Sequence, residues 1–358
     1  MEFFNLVCQE AFAEDAQMFS TNPQTGLSYF RACSLQPLYM YELLGLLMGL
    51  AVYNGITLPI SLPEVFYALL LLGEMKNPQH DRAWDGLAAE GCIESIKDGW
   101  PTESRSMAVI ATQDIPGLDC SFPLEANGLR MAVQLEIRTT GSSKPEERIL
   151  HILSAVPAEG GSQQEIDISS LSWPGWTLVE SHDEPALVTP DTKATYVTQQ
   201  AWWLVQGSVA PQAEAFQRGF YKVVDLHALS LFTPISLKAF MEGSRHLDID
   251  ELRSATKYDG YETNSKYINT FWRIVSLWSE TKQKQLLKFV TAAERVPMGG
   301  ASNLTFVIKK TVLEDLEHLP TSSTCFGTLY LPRYANAEVL EAKLSLAIEY
   351  GLEGFGTG

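Results

Sequence analysis

The chain has 358 residues, 46% of them hydrophobic and 19% charged, enough to bury a sizeable core in two domains or one large one. A formal net charge of -17 with no basic run argues against nucleic acid, whose phosphates need clustered Lys and Arg. The acid is uneven: residues 246–358 hold 12 basic and 14 acidic side chains, so nearly all of the excess lies before them.

Residues 43–63, LLGLLMGLAVYNGITLPISLP, carry no charge and are long enough to span a bilayer. Asn54, Gly55, Pro59, Ser61 and Pro63 interrupt them and Glu42 and Glu64 flank them, so a buried helix followed by a loop is the better reading. Leu43, Leu44, Leu47, Leu50 and Ala51 recur at helical spacing, and a second apolar run covers residues 65–72. From about residue 100 the texture changes. Residues 107–111, 131–137 and 151–156 read as strands, separated by the turn compositions TTGSSKPEE and AEGGSQQE, with little between them long enough for a helix.

Helix returns at residues 212–221 and 236–241, and the triplet Gly243, Ser244, Arg245 is the candidate domain boundary, with Gly243 placed as a C-cap or hinge. Beyond it, residues 271–278 and 281–293 read as helices, the second with Leu286, Phe289, Val290 and Ala293 on one face and Ser279 as N-cap. A strand at 304–308, an acidic segment, a strand at 328–331 and a helix aligning Leu340, Leu344, Ala347 and Ile348 complete the chain. The fold class is α+β.

Five cysteines without a CxxC pair make no disulfide framework, and MEFFNLVCQE lacks the basic start and apolar middle of a signal peptide. A reducing compartment is expected, cytoplasmic or nuclear. The six histidines are scattered, so no metal site is expected, and neither a Gly-rich phosphate loop nor a GxSxG elbow is present. What remains is Cys325 in LPTSSTCFGTLYL, set between small hydroxyl residues and an apolar strand. A cysteine acts as a nucleophile through its thiolate, which hydroxyls and backbone N–H groups of such a loop can stabilise; equally, a lone cysteine at a strand edge can be inert packing. Spacing alone leaves both open.

The stretch LPTSSTCFGTLYLPRYANAEVLEAKLSLAIEYGLEGFG resembles the C-terminal signature of HECT-type ubiquitin ligases. Collinear matches run through residues 43–63, AFQRGFYKV (215–223), EGSRHLDIDELRSATKYDGY (242–261) and LLKFVTAAERVPMGG (286–300). The resemblance implies a bilobal HECT fold. Its parts are a larger, mostly helical N-lobe at 1–242 with a strand-containing subdomain at about 82–200, a hinge at Gly243, Ser244 and Arg245, and a compact α/β C-lobe at 246–358. It implies a ubiquitin transferase that needs no cofactor and whose partners are ubiquitin, a ubiquitin-conjugating enzyme and protein substrates. Cys325 matches the thioester cysteine, Thr324 and Phe326 its neighbours, and Phe355 the aromatic used near the chain end in the transfer step. Trp84, Leu87, Met107, Trp202 and Trp203 fall where the family docks its conjugating enzyme, although each reads equally well as core.

Two departures stand beside the cysteine. Ser323 replaces a His of many members, and Gly327 replaces an Asn and is expected to loosen the turn. The chain's start resembles a point already inside the family's domain, so an opening strand and helix of the N-lobe are expected to be missing and the large subdomain to be less stable. The alternatives are a non-catalytic scaffold that binds ubiquitin or a conjugating enzyme, and a thiol hydrolase, which would need a histidine such as His318 or His246 brought to Cys325.

Overall fold

A computed structural model describes residues 2–73, 88–138, 147–158, 171–293, 295–311 and 318–354. By its contacts the chain separates into two compact units, an N-terminal one of Val7–Tyr53 and Ile60–Lys238 and a C-terminal one of Ala239–Gly358 with Met1–Leu6 and Asn54–Pro59. The division falls inside a helix a few residues before the Gly243 triplet.

Helix α1 (Glu2–Phe12) is followed in the N-terminal unit by a short hairpin, β1 (Phe19–Thr21) with β2 (Ser28–Phe30), and by α2 (Leu38–Tyr53), α3 (Glu64–Leu72), α4 (Ala89–Ser95) and α5 (Pro101–Thr112). Then come β3 (Phe122–Ala126), β4 (Leu129–Arg138), β5 (Glu147–Pro157) and β6 (Thr177–Glu180), side by side in that order. They are antiparallel except for the β5–β6 pair. Helices α6 (Lys193–Val205), α7 (Ala210–Phe220), α8 (Leu226–Leu229) and α9 (Pro234–Glu242) follow. Glycines let α2 and α7 touch backbone to backbone: a Cβ on Gly45 would lie 2.0 Å from the Phe216 carbonyl oxygen, and one on Gly219 1.8 Å from that of Glu42. The sheet buries Leu124, Met131, Val133, Leu150 and Ile152 against Trp173 and Trp203.

Residues 107–111 were expected as a strand and form the second half of α5 instead. Pro101 at the first helical position starts that helix, and a five-residue apolar run does not by itself distinguish helix from strand. With α6, it also overturns the expectation of little helix between residue 100 and α7. Helix α2 forms as expected but is not wholly buried, since Leu43 is 50% exposed.

The C-terminal unit contains α10 (Ile249–Ala255), β7 (Lys257–Asp259), α11 (Lys266–Leu277), α12 (Glu280–Thr291), β8 (Val307–Lys310), β9 (Thr321–Ser323), β10 (Thr328–Leu331) and α13 (Ala337–Gly354). Side-chain caps start three of its helices: Asp248 accepts from the N–H groups of Asp250 and Glu251, Ser265 from Ile268, and Ser279 from Lys282. The strand expected at 304–308 begins only at Val307, because a short 3-10 turn at Ala301–Asn303 precedes it. The sheet order is β7-β8-β10-β9, with β8 parallel to both of its neighbours and β9 antiparallel to β10. Leu286, Val290, Leu340, Leu344 and Ile348, all read from helical spacing, join Phe271, Trp272, Ile308, Leu329 and Leu331 in one core. Among the described residues no helix is long and apolar enough to cross a membrane.

Candidate functional site

Strands β9 and β10 form a hairpin in which Ser323 faces Thr328, so residues 324–327 are its tip. Thr324–Phe326 make one 3-10 turn, closed by the Gly327 N–H donating to the Thr324 carbonyl at 3.2 Å. Cys325 is exposed at this tip and Phe326 beside it is 72% exposed. The rest of the hairpin is anchored. Leu329 and Leu331 are fully buried, and helix α12 packs against both the turn and β9.

Gly327 is the junction between the exposed tip and the buried strand. Its φ of 53° is left-handed, and a Cβ there would lie 1.9 Å from the Thr305 carbonyl oxygen. Its own carbonyl accepts the Val307 N–H at 2.8 Å. The expected loosening of the turn is therefore not what the structure shows: glycine lets the chain leading into β8 close against the turn, where any side chain would hold it off.

Three tyrosines hold the chain as it enters and leaves the hairpin. The Tyr261 hydroxyl donates to the Leu331 carbonyl at 2.8 Å, Tyr267 to that of Pro332 at 2.6 Å, and Tyr334 to that of His318 at 2.6 Å. Tyr267 also accepts the Tyr334 N–H at 3.2 Å. Burial pushes the Tyr267 hydroxyl up to about 12, and it pushes those of Tyr261 and Tyr334 up as well, so all three stay protonated donors at neutral pH. They thus pin the chain on both sides of the hairpin, at His318 and at Leu331–Pro332. Tyr261 and Tyr334 lie within the stretches that resemble the family; the pairing of tyrosine hydroxyls with the carbonyls of a proline-bounded strand end is a spatial fact that spacing does not carry.

Thr324 donates its hydroxyl to Glu2 Oε1 at 2.9 Å, and Asn5 donates to the Ala292 carbonyl at 2.6 Å, so the first turn of α1 lies against the C-terminal unit to which it belongs. At the start of this unit Gly243 has φ 64°, and Ser244 exchanges two backbone hydrogen bonds with Val296, at 2.7 and 3.0 Å. Just before it, the buried Glu242 carboxylate meets the buried Arg295 guanidinium at 3.3 Å.

The remaining candidates are dispersed. Met107 is buried on α5; Trp203 is buried on α6, donates its ring N–H to the Pro123 carbonyl at 3.1 Å and stacks on Phe122. Both line the wall of an open pocket of about 500 Å³ between α5, α6 and β3, while Trp202 is half-buried. Trp84, Leu87 and Phe355 lie outside the described residues. The other cysteines contrast with Cys325: Cys8, Cys33 and Cys92 are buried, and Cys120 is half-buried. No group of three or more His, Cys, Asp or Glu among the described residues is arranged to hold a metal ion.

The family described as HECT-domain (ubiquitin-transferase) matches residues 5–358. The chain is 29% identical over 355 residues to the mouse protein named probable E3 ubiquitin-protein ligase HECTD2, covering 99% of this chain and 40% of that protein. To human probable E3 ubiquitin-protein ligase HERC4 it is 27% identical over 355 residues, covering 99% of this chain and 28% of that one. With probable E3 ubiquitin-protein ligase TOM1 of Eremothecium gossypii it shares 36% identity over 175 residues, 47% of this chain and 5% of that protein. The chain thus spans well under half the length of these relatives.

Proposed function

The chain belongs to the HECT-domain (ubiquitin-transferase) family, and from that premise we propose that it accepts ubiquitin from a charged conjugating enzyme as a thioester on Cys325 and passes it to a lysine of a protein substrate. The observation that carries the reading is the presentation of Cys325: it is exposed at the tip of an anchored hairpin, while the other four cysteines are buried or half-buried.

In the first step the Cys325 thiolate attacks the carbonyl carbon of ubiquitin's thioester, a new C–S bond forms, and the conjugating enzyme's cysteine leaves as thiolate. Exchange between two thioesters is nearly isoenergetic, so position rather than an energy source decides the rate. In the second step a lysine amine attacks the same carbon, loses a proton, and expels the Cys325 thiolate as the amide forms, which runs downhill. Both partners are macromolecules, and an exposed tip admits them in turn where an enclosed cleft would not. Thr324 and Phe326 flank the thiol and orient the incoming thioester, with Phe355 acting at the transfer step.

Gly243, Ser244 and Arg245 serve in this reading as the hinge, supported by the left-handed backbone of Gly243. The conjugating enzyme docks on the subdomain at about 82–200 or just beyond its end, where half-buried Trp202 is a candidate contact and buried Met107 and Trp203 line an open pocket. The free cysteines fit a reducing, intracellular setting.

The test is incubation with a conjugating enzyme precharged with ubiquitin, followed by non-reducing electrophoresis. A dithiothreitol-sensitive ubiquitin adduct, absent in Cys325→Ala, is expected. Binding without an adduct would instead make the chain a scaffold, and free ubiquitin with neither adduct nor lysine product would make it a hydrolase.

A further inference from the structure

Helix α2 holds one charged residue in sixteen, Glu42, and that carboxylate is engaged by Arg218 at 3.6 Å and by Lys222. A helix apolar all round is normally buried all round. This one buries only the face built from Tyr41, Leu44, Gly45, Met48, Gly49 and Ala51. On the opposite face Tyr39 is 67%, Leu43 50% and Tyr53 76% exposed, with Leu46 and Leu50 half-buried between them. Steps of four, three, four and three residues set these five side chains in one stripe along about 21 Å of helix.

The order of residues in the stripe selects its occupant. Read from either end it is Tyr, Leu, Leu, Leu, Tyr, centred on Leu46. A two-fold axis through Leu46 would bring Leu46 to Leu46 and Tyr39 to Tyr53 of another copy, and Leu43 to within one residue of Leu50. That is the self-complementarity an isologous interface requires. No like charges meet in this pairing, because the stripe contains none. At about 200 Å² per tyrosine the two rings leave roughly 300 Å² open, and the leucines raise the face to the order of 400 Å². About 800 Å² per partner makes a standard interface, so contact through this face alone gives a weak dimer.

We propose that the exposed face of α2 is an interface between two copies of this chain, paired antiparallel about Leu46. Sedimentation velocity from about 1 to about 200 μM tests it, with expected growth of a dimer over the series and at least a tenfold weaker association for Leu43→Glu. That exposed position tolerates charge in the monomer, and circular dichroism checks its fold. Register is read by mild oxidation in a Cys325→Ala background. Leu46→Cys should crosslink to itself, whereas Leu43→Cys and Leu50→Cys should crosslink to each other when mixed and not to themselves, since like positions stand about 10 Å apart. A monomer throughout the series, a dimer indifferent to Leu43→Glu, or preferential Leu43→Cys self-crosslinking would each overturn the proposal. So would a monomer that floats with zwitterionic vesicles, which would give the face to a lipid surface.

Discussion

The turns at Cys33 and Cys325 put the same side chain to opposite uses. Cys33 follows β2 with a φ of 50°, is 1% exposed in the core between the sheet and Trp203, and burial drives its thiol well above the ordinary range. Cys325 sits on a hydrogen-bonded turn whose strained position belongs to Gly327, two residues on, and its side chain faces solvent. The difference teaches that reactivity here is a matter of where the neighbouring backbone is anchored. Core residues surround Cys33 on all sides, whereas at Cys325 helix α12 and the Gly327 junction hold the backbone of the turn and leave the thiol itself exposed.

Substitutions sharpen the contrast. Cys325→Ala should abolish the ubiquitin adduct on non-reducing gels without lowering thermal stability, since nothing packs over an exposed thiol. Gly327→Asn should cost about 2–3 kcal/mol in urea unfolding of the C-terminal unit and reduce adduct formation more than tenfold. Asparagine tolerates the left-handed φ, but its Cβ collides with the Thr305 carbonyl. Retention of full activity in that variant would show that the close approach of Thr305 is incidental.

Tyr267→Phe should cost about 1–2 kcal/mol, because it leaves the Pro332 carbonyl and the Tyr334 N–H without their partner. The same hydroxyl sets an alkaline limit. Its folded-state value of about 12 lies above the ordinary 10.0, so its contribution is complete below pH 10 and is lost as pH rises through 12. Unfolding midpoints measured across that window should fall in the parent and fall less steeply in Tyr267→Phe. Cys33→Ala should have the smallest effect, about 1 kcal/mol of stability, with adduct formation unchanged.

Much of the C-terminal unit was legible because its signals are local. Ser279 capped α12, Leu286 and Val290 kept helical spacing, and Leu340 to Ile348 marked the buried face of α13. The run at 107–111 is ambiguous because so short an apolar stretch as MAVIA fits either period, whereas Pro101, six residues earlier, marks the start of a helix. The small hydroxyls before an apolar strand allowed either a displayed or a packed Cys325, and its exposure is settled only by the hairpin that carries it. The tightness of its turn did not follow from composition either, since it depends on the Thr305 carbonyl, twenty-two residues away in sequence and brought in by parallel pairing of β8 with β10.

The central claim is that Cys325 is the residue that carries ubiquitin. After brief reaction with a charged conjugating enzyme, acid quench and digestion without reductant, mass spectrometry can locate ubiquitin's C-terminal remnant on the chain. The account predicts it in thioester linkage on the peptide containing Cys325 and nowhere else. A remnant on Cys120 or another thiol, or on no cysteine while substrate lysines are nevertheless modified, would contradict it.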